Sequence, residues 1–217
     1  MTRWKKILFW VLGAVLVLVC ALVAVFLKSM RPTTGPRIVA YTDPRTALII
    51  VDIQKDYTGP QPKKRYKDGE RIVAVSNALL EQAQAHGAIV VYIKNVIDNP
   101  VLSALTGGLN APGSPGAEMD RRLRKVPGSR TFTKNRPDAF SNPELDTYLR
   151  ENHVDHVLLT GLDAAYCVNA TTRGGLNRGY KVTIFLEGIA TESGKSIDHL
   201  AQGWREAGAQ VKAGTAM

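Results

Sequence analysis

Three side chains that could carry out hydrolysis each follow a short apolar run of the sequence. Asp52 comes directly after "ALIIV", Lys134 follows "SRTFT", and Cys167 follows "HVLLTG" after five intervening residues, where a helical pattern begins. A thiolate is a strong nucleophile, a carboxylate can take the proton of the thiol, and an ammonium group can stabilise developing negative charge. The three residue types therefore predict nucleophilic chemistry at a cysteine.

Each of these residues also has a purely structural interpretation. Asp52 could cap a turn, Lys134 could lie on the surface, and a lone cysteine most often fills space in a core. The only other cysteine, Cys20, lies in an apolar N-terminal run, so the rest of the chain cannot form an internal disulfide. No Cys/His cluster has the spacing of a zinc site. The catalytic interpretation therefore depends on whether the fold brings the three residues together.

The order of strand and helix patterns indicates where these residues meet. Apolar runs typical of strands occur at 47–51, 88–94, 129–134, 154–160, 181–187 and 209–212. Amphipathic or helix-capping patterns fall between them, at 70–87, 117–124, 142–152, 167–179 and 196–208, and a Gly- and Pro-rich loop covers 95–116. This alternation predicts an α/β fold with three layers and a six-stranded parallel sheet, whose ligands bind beyond the carboxyl ends of the strands.

The three candidate residues all stand at carboxyl ends of predicted strands, so the sequence predicts that they share one edge of the sheet. Cys167 also stands at the start of a predicted helix. The positive end of that helix and the Lys134 ammonium are both expected to lower the pKa of the thiol. On this basis Cys167 is the expected nucleophile and Asp52 the expected general base.

An apolar segment precedes this domain. Residues 7–27 are 21 residues without a charge, and as a helix they would span about 30 Å, the thickness of a bilayer core. The run is longer than a signal-peptide core and no small-residue cleavage site follows. We expect an uncleaved single-pass anchor within residues 1–28 that contacts the bilayer through 7–27, then a linker over 29–45 and a folded domain over 46–217.

The charge of the chain carries little functional information beyond the anchor. The chain has 28 Lys and Arg residues, of which six lie within residues 1–37, where there is no acidic residue. The rest of the chain therefore has 22 basic residues against 19 Asp and Glu.

The orientation of the anchor is not decided by charge, because three basic residues lie on each side of the apolar run. A short N-terminal tail by default stays inside, with the domain outside. The cluster Lys63–Lys67 could contact phosphate or lipid headgroups or be a solvated loop. No nucleic-acid partner is expected.

Five segments together resemble the isochorismatase-like cysteine hydrolases, which include nicotinamidases, N-carbamoylsarcosine amidases and ureidoacrylate amidohydrolases. The resemblance covers about residues 46–212 and rests on "ALIIVDIQKDY", "PGSPGAEMDRRL", "FTKNRPDAFSNPELDTYL", "LLTGLDAAYCVNATTRGGLNRGYKVTIFLEGIAT" and "DHLAQ". It implies a Rossmann-like sheet and a catalytic triad that maps onto Asp52, Lys134 and Cys167.

The resemblance also implies a non-proline cis peptide, here Leu162–Asp163, that would aim the N–H groups of Asp163 and Cys167 at the substrate oxygen as an oxyanion hole. The chain departs from the family at this place. Asp163 and Ala164 stand where the family more often has a small residue followed by threonine. We expect the Asp163 side chain either to act on the charge of the substrate or to point to solvent.

A second departure concerns metals. The nicotinamidases of this group bind a metal through an Asp-x-His pair after the second strand and another histidine, whereas here that region, "VVYIKNVIDNPVL", has no histidine. We therefore expect no catalytic metal and no cofactor. True isochorismatases cleave a vinyl ether and lack the cysteine, so Cys167 favours hydrolysis of an amide or ureido C–N bond through a thioester.

Two other functions stay open on the sequence alone. One is hydrolysis of a non-amide bond, as in isochorismatases, and the other is a non-catalytic, membrane-tethered binding module on the same fold. Among the aromatic residues, Tyr57, Phe140 and Tyr166 are candidates for contact with a small-molecule substrate. We also expect a homo-oligomer.

Overall fold

The computed structural model describes residues 3–216 and contains a six-stranded parallel sheet with helices on both faces. The strands are β1 (Arg45–Val51), β2 (Ile89–Asn95), β3 (Arg130–Lys134), β4 (Val154–Gly161), β5 (Lys181–Ile189) and β6 (Gln210–Lys212). The α-helices are α1 (Arg3–Met30), α2 (Lys55–Thr58), α3 (Gly69–Ala85), α4 (Pro100–Leu105), α5 (Pro143–Glu151), α6 (Asn169–Asn177) and α7 (Ile197–Glu206). The predicted α/β class and the six parallel strands are confirmed.

The chain divides into two compact units, Met1–Arg31 and Pro32–Met217. The first unit consists of helix α1. Its segment Phe9–Met30 is long and apolar enough to cross a membrane, and none of its apolar window is buried. The assignment of this segment as a possible membrane span uses its length and composition, and a signal sequence meets the same criteria.

The strand order determines where a site can form. The six strands lie in the order β3-β2-β1-β4-β5-β6, so the chain winds outward from the centre in two directions. β1 pairs with β2 from Ala47↔Ile89 onward and with β4 as far as Val51↔Gly161. The order reverses between β1 and β4, and loops that leave such a pair diverge and open a crevice at their carboxyl ends.

Central strand β1 supplies both core layers. Successive side chains of a strand point to opposite faces of the sheet. Ala47, Ile49 and Val51 accordingly pack with the layer that contains α5, α6 and α7, while Leu48 and Ile50 pack with the layer that contains α3. Because both faces are covered, the strand is apolar throughout, as its sequence indicates.

The predicted helix at 117–124 is wrong. A 3₁₀ turn covers Pro115–Ala117, and the residues after it are held by tertiary contacts. Met119 forms an antiparallel bridge with Gln54, and the Asp120 carboxylate accepts a hydrogen bond from Thr58 Oγ1 at 2.7 Å. In addition, the Glu118 carbonyl accepts from the Lys55 N–H and the Asp120 N–H donates to the Ile53 carbonyl, so these backbone groups pair with a distant segment and not within a helix. The loop predicted at 95–116 differs as well, since it contains helix α4.

Part of the segment expected as a linker packs on the domain. We call residues 33–38 the strap. The Thr33 N–H and hydroxyl both donate to Asp138 Oδ2, at 2.7 and 2.6 Å, and Arg178 donates to the Thr33 carbonyl at 3.3 Å. Asp138 and Arg178 are only 1% and 6% exposed. Ile38, at the other end of the strap, donates its N–H to the Arg178 carbonyl and packs against the core.

Thr33→Ala removes a hydroxyl donor from the buried Asp138 carboxylate. We expect the free energy of unfolding of the Pro32–Met217 unit to fall by about 1–3 kcal/mol. Denaturant unfolding of the full chain in detergent, followed by circular dichroism, measures this. Thr34→Ala is the matched control, because the contact of Thr34 with Arg178 uses its carbonyl, and a change under about 0.5 kcal/mol is expected. Equal effects of the two variants would contradict the role of the strap.

Candidate active site

The three predicted residues meet at the carboxyl edge of the sheet. Asp52 follows β1, Lys134 is the last residue of β3, and Cys167 lies in a π-helical turn between β4 and α6. Lys134 Nζ lies 2.8 Å from Asp52 Oδ2 and 3.2 Å from Cys167 Sγ. The ammonium therefore bridges the carboxylate and the sulfur.

The ion pair of this cluster is shielded from water. The side chains of Lys134 and Asp52 are 1% and 2% exposed. Asp52 Oδ1 is buried and has no hydrogen-bond partner within residues 3–216. That oxygen is consequently available to accept a proton, while Oδ2 is held by Lys134.

Backbone geometry brings β1 and the cysteine turn together. At Gly161, the last residue of β4, φ is +121° and a Cβ atom would lie 2.0 Å from the Val51 carbonyl oxygen. Only glycine permits this approach. The next residue, Leu162, donates its N–H to the same oxygen at 2.9 Å. The chain then turns through the expected cis peptide, Leu162–Asp163, into the helical turn that carries Cys167.

Asp52 itself has an uncommon backbone conformation. Its φ of +55° is in the left-handed region, which few residues other than glycine adopt, although aspartate is one of those that do so more often. Its N–H donates to the Ile93 carbonyl at 3.0 Å, and its own carbonyl accepts from Gln54 at 2.9 Å. These two hydrogen bonds hold the carboxylate at the end of the strand.

Burial dominates the electrostatics of the cluster. Burial raises the pKa of Asp52 above its ordinary value of 3.8, although Lys134 opposes the shift. Burial acts to lower the pKa of Lys134, but the Asp52 carboxylate and the Cys167 sulfur outweigh it and leave that pKa raised. Lys134 is thus a permanent cation at neutral pH.

The expected low pKa of the thiol is wrong for the site without substrate. Burial and, after it, the neighbouring Asp52 raise the pKa of Cys167 to about 12, while Lys134 alone opposes them. A thiolate in a dry site beside a carboxylate is costly. Cys167 is therefore a protonated thiol at neutral pH, and it needs a base before it can attack.

Asp163 neither faces solvent nor points at a substrate. The residue is 5% exposed, and its carboxylate accepts hydrogen bonds from the Ala165 N–H at 2.7 Å, the Thr191 hydroxyl at 2.8 Å and the Tyr66 hydroxyl at 3.1 Å. The expectation of a solvent-facing or substrate-reading carboxylate is corrected accordingly. The side chain caps the cysteine turn and ties it to two neighbouring loops, because a buried carboxylate requires several donors.

The three aromatic candidates have different positions. Tyr57 is half-buried, and burial together with the charges of Asp52 and Cys167 raises its pKa. Tyr166 is 46% exposed beside the cysteine. Phe140 is 2% exposed, and its ring stacks on Tyr180 with centroids 5.5 Å apart. The contacts of Phe140 are those of a core side chain and do not support its predicted role in substrate contact.

Sequence reasoning missed two residues that support the cluster. Asn95, the last residue of β2, has its side-chain oxygen 3.4 Å from Lys134 Nζ. Gln54 is fully buried and donates to the Asn95 carbonyl at 2.9 Å, while its own oxygen accepts from the Asn95 N–H at 2.8 Å. The rule applied to the other strands, that polar residues at carboxyl ends line the site, would have found Asn95.

The cavity beside Lys134 is small, and neither Asp52 nor Cys167 is among its lining residues. It has a volume of about 220 Å³ and is lined also by Asp98, Asn135 and Ser141. In the described part of the chain, residues 3–216, no group of three or more His, Cys, Asp and Glu side chains could hold a metal ion. The polar groups of the cavity are suited to a small polar molecule.

Comparison with known proteins agrees with the fold. A family model described as the isochorismatase domain matches residues 46–212. The chain belongs to the isochorismatase family. In its crystal structure, the N-carbamoylsarcosine amidase from Thermoplasma acidophilum superposes with a TM-score of 0.69 at 26% identity, over 78% of this chain and 96% of that one.

Three characterised relatives are similar in sequence to this isochorismatase-family chain. Streptothricin hydrolase of Streptomyces noursei is 29% identical over 75% of this chain and 60% of its own length. N-carbamoylsarcosine amidase of Arthrobacter is 28% identical over 67% and 59%. Ureidoacrylate amidohydrolase of Pantoea ananatis is 26% identical over 64% and 67%. The chain thus spans about three fifths of the length of the first two relatives.

Asp52→Asn is expected to make the Cys167 thiol more reactive, although it removes the expected base. Without the carboxylate, the Lys134 ammonium is the charge that remains beside the sulfur, so the pKa of the thiol falls even though burial still raises it. A fall of one unit gives about tenfold more thiolate at a fixed pH. Alkylation by iodoacetamide at pH 8 in a Cys20→Ala background measures the rate.

The matched control is Asn95→Asp, which adds a negative charge on the other side of Lys134 and should slow alkylation. An Asp52→Asn protein that is alkylated more slowly than the parent would contradict the electrostatic description of the cluster.

Proposed function

We propose that this protein is a membrane-anchored cysteine hydrolase that cleaves the C–N bond of a small amide or ureido compound. The observation that carries the proposal is the position of the Lys134 ammonium, 2.8 Å from the Asp52 carboxylate and 3.2 Å from the Cys167 sulfur. The names of the family relatives support the bond type. Two of them are an amidase and a ureidoacrylate amidohydrolase, acting on carbamoyl or ureido compounds.

In the first half of the proposed reaction, Cys167 is the nucleophile. Asp52 takes the thiol proton on its unpartnered Oδ1, and the sulfur attacks the carbonyl carbon of the substrate. The carbonyl electrons move to the oxygen, which the backbone N–H groups of Asp163 and Cys167 would stabilise. Asp52 then returns the proton to the nitrogen, the C–N bond breaks, and ammonia or an amine leaves with a thioester remaining.

In the second half, water releases the acid. Asp52 removes a proton from the water, whose oxygen attacks the thioester, and the C–S bond breaks. The proton returns to the sulfur and the starting thiol is restored. Lys134 stays protonated throughout and stabilises the thiolate and the oxyanion in turn, as its raised pKa permits.

The raised pKa of Asp52 is consistent with its proposed role as the general base. A general base works best when its pKa approaches that of the group it deprotonates. Burial moves the Asp52 pKa upward, toward neutrality, and so brings it closer to that of the thiol. Since the carboxylate form is required, turnover should fall on acidification at a pH above the ordinary Asp value of 3.8.

Cys167→Ala and Asp52→Asn are each expected to reduce turnover by at least about 10³-fold, because each removes a group that forms or breaks bonds. Ammonia release from a panel of primary amides and ureido compounds measures the rate, and intact-protein mass spectrometry detects the thioester on Cys167. Cys20→Ala is the matched thiol control and should keep full activity.

The two alternatives give different results in the same experiment. Turnover that survives Cys167→Ala would indicate cleavage of a non-amide bond by an isochorismatase-type reaction. A parent protein that binds amides but releases no ammonia and forms no thioester would indicate a binding module. Either outcome would overturn the amidase proposal.

We also propose that residues 1–28 anchor the protein in a membrane through the apolar part of α1, with the N-terminus inside and the domain on the outer face. The length and apolar composition of Phe9–Met30 support this. Homo-oligomer formation stays a prediction.

The parent chain is expected to remain in the membrane pellet after an alkaline carbonate wash. Leu16→Glu with Val19→Glu should release it, because each charge at the centre of a bilayer costs about 2.5–3.5 kcal/mol. The control Leu16→Ala with Val19→Ala should stay in the pellet. A soluble parent product that begins after residue 27 would instead indicate a cleaved signal sequence.

A further inference from the structure

Helix α4 presents apolar side chains to solvent at the carboxyl edge of the sheet. Val101, Leu102 and Leu105 are 67%, 42% and 80% exposed, and α4 has no buried residue. The helix belongs to the segment that leaves the carboxyl end of β2. Three large aliphatic side chains exposed on a six-residue helix form a surface that a soluble protein normally covers.

A basic loop adjoins this helix. Lys63, Lys64, Arg65 and Lys67 are all exposed, and they follow α2, which also starts from the carboxyl edge of the sheet. Lys63 Nζ donates to the Gly108 carbonyl, three residues after the end of α4, at 2.7 Å. Apolar and basic side chains therefore share one surface, which we call the docking face: residues 63–67 and 100–105.

The docking face keeps an excess of positive charge. One carboxylate reaches the basic loop, where Glu192 Oε1 accepts a hydrogen bond from the Lys67 N–H at 3.0 Å, against four basic side chains. The acidic residues that follow the basic loop already have basic partners, with Asp68 3.1 Å from Arg71 and Glu70 3.9 Å from Arg122. No ion pair within residues 3–216 involves Lys63, Lys64, Arg65 or Lys67. A face of this kind is complementary to an apolar layer with a negatively charged border.

We propose that the docking face binds the surface of a bilayer that contains anionic lipid. The aliphatic side chains of α4 enter the interfacial region, and the basic loop contacts the headgroups. The inference rests on the proposed anchor, since a tethered domain meets the lipid surface at high effective concentration. It goes beyond that anchor because it assigns the face of the domain that meets the membrane.

Charge decides between lipid and a second copy of the chain. In a two-fold contact through the docking face, the basic loops of both copies would lie at one interface, and like charges would oppose its formation. Anionic headgroups have the opposite sign. Cys167 lies at the same edge of the sheet as the docking face. Binding of the docking face to the bilayer would therefore place the candidate active site close to the lipid interface.

Hydrogen–deuterium exchange of the full chain, one copy per nanodisc, tests the proposal. We expect the amides of 101–105 to exchange at least about tenfold more slowly in discs with about 30% phosphatidylserine than in phosphatidylcholine discs. Arg65→Gln with Lys67→Gln should abolish this difference. The control Lys181→Gln, at the amino end of β5, should preserve it.

A second pair of variants isolates the apolar contribution. Leu102→Ser with Leu105→Ser should abolish the protection of α4, whereas Val39→Ser, at a residue that is also 67% exposed, should preserve it. Unchanged exchange in the core strands shows that each variant is folded.

The remaining outcomes overturn the proposal in distinguishable ways. A chain that does not co-purify with the disc overturns both the anchor and the docking face. A retained chain without lipid-dependent protection overturns the docking face alone. Protection that occurs only in discs with two copies assigns the face to a second copy of the chain. Amidase activity is read separately and does not affect any of these results.

Discussion

The structure around the candidate active site depends on the buried ion pair of Lys134 and Asp52, because a buried charge without a partner is strongly destabilising. Lys134 and Asp52 lie almost wholly out of water, where the desolvation of an ion pair costs several kcal/mol per charge unless the geometry is favourable. Lys134 belongs to β3 and Asp52 follows β1, so β2 lies between their strands and the lysine has to reach across it. Asn95, at the end of β2, lies beneath that lysine and is held in turn by Gln54.

The buried carboxylates of this protein differ in how many hydrogen bonds they accept, and this difference distinguishes structural carboxylates from the candidate general base. Asp163 has four donors from side chains and backbone, and Asp138 has three, two of them from Thr33. Asp52 keeps one oxygen without a partner in the described part of the chain. A carboxylate whose donors are complete stabilises a loop, whereas one with a free lone pair can still accept a proton.

The loops around the cluster are tied to more distant parts of the chain. Tyr66 connects the basic loop to Asp163, and therefore to the turn that carries Cys167. The strap connects the start of the domain to Asp138, four residues after Lys134. The strap and the basic loop thus each contact a segment that flanks a candidate catalytic residue, Lys134 for the strap and Cys167 for the loop. Both contacts use buried carboxylates, whose partners are expensive to remove.

The sequence by itself determined the α/β class, the six strands, the family and the meeting of Asp52, Lys134 and Cys167, because periodicity and strand ends are local properties and parallel strands share one carboxyl edge. It did not determine the thiol pKa, the partners of Asp163, the core position of Phe140, the packing of the strap or the absence of a helix at 117–124. Each of these depends on contacts between residues far apart in the chain. Burial depth and hydrogen-bond partners, which decide whether a charge is stabilised or penalised, exist only once the tertiary structure has formed.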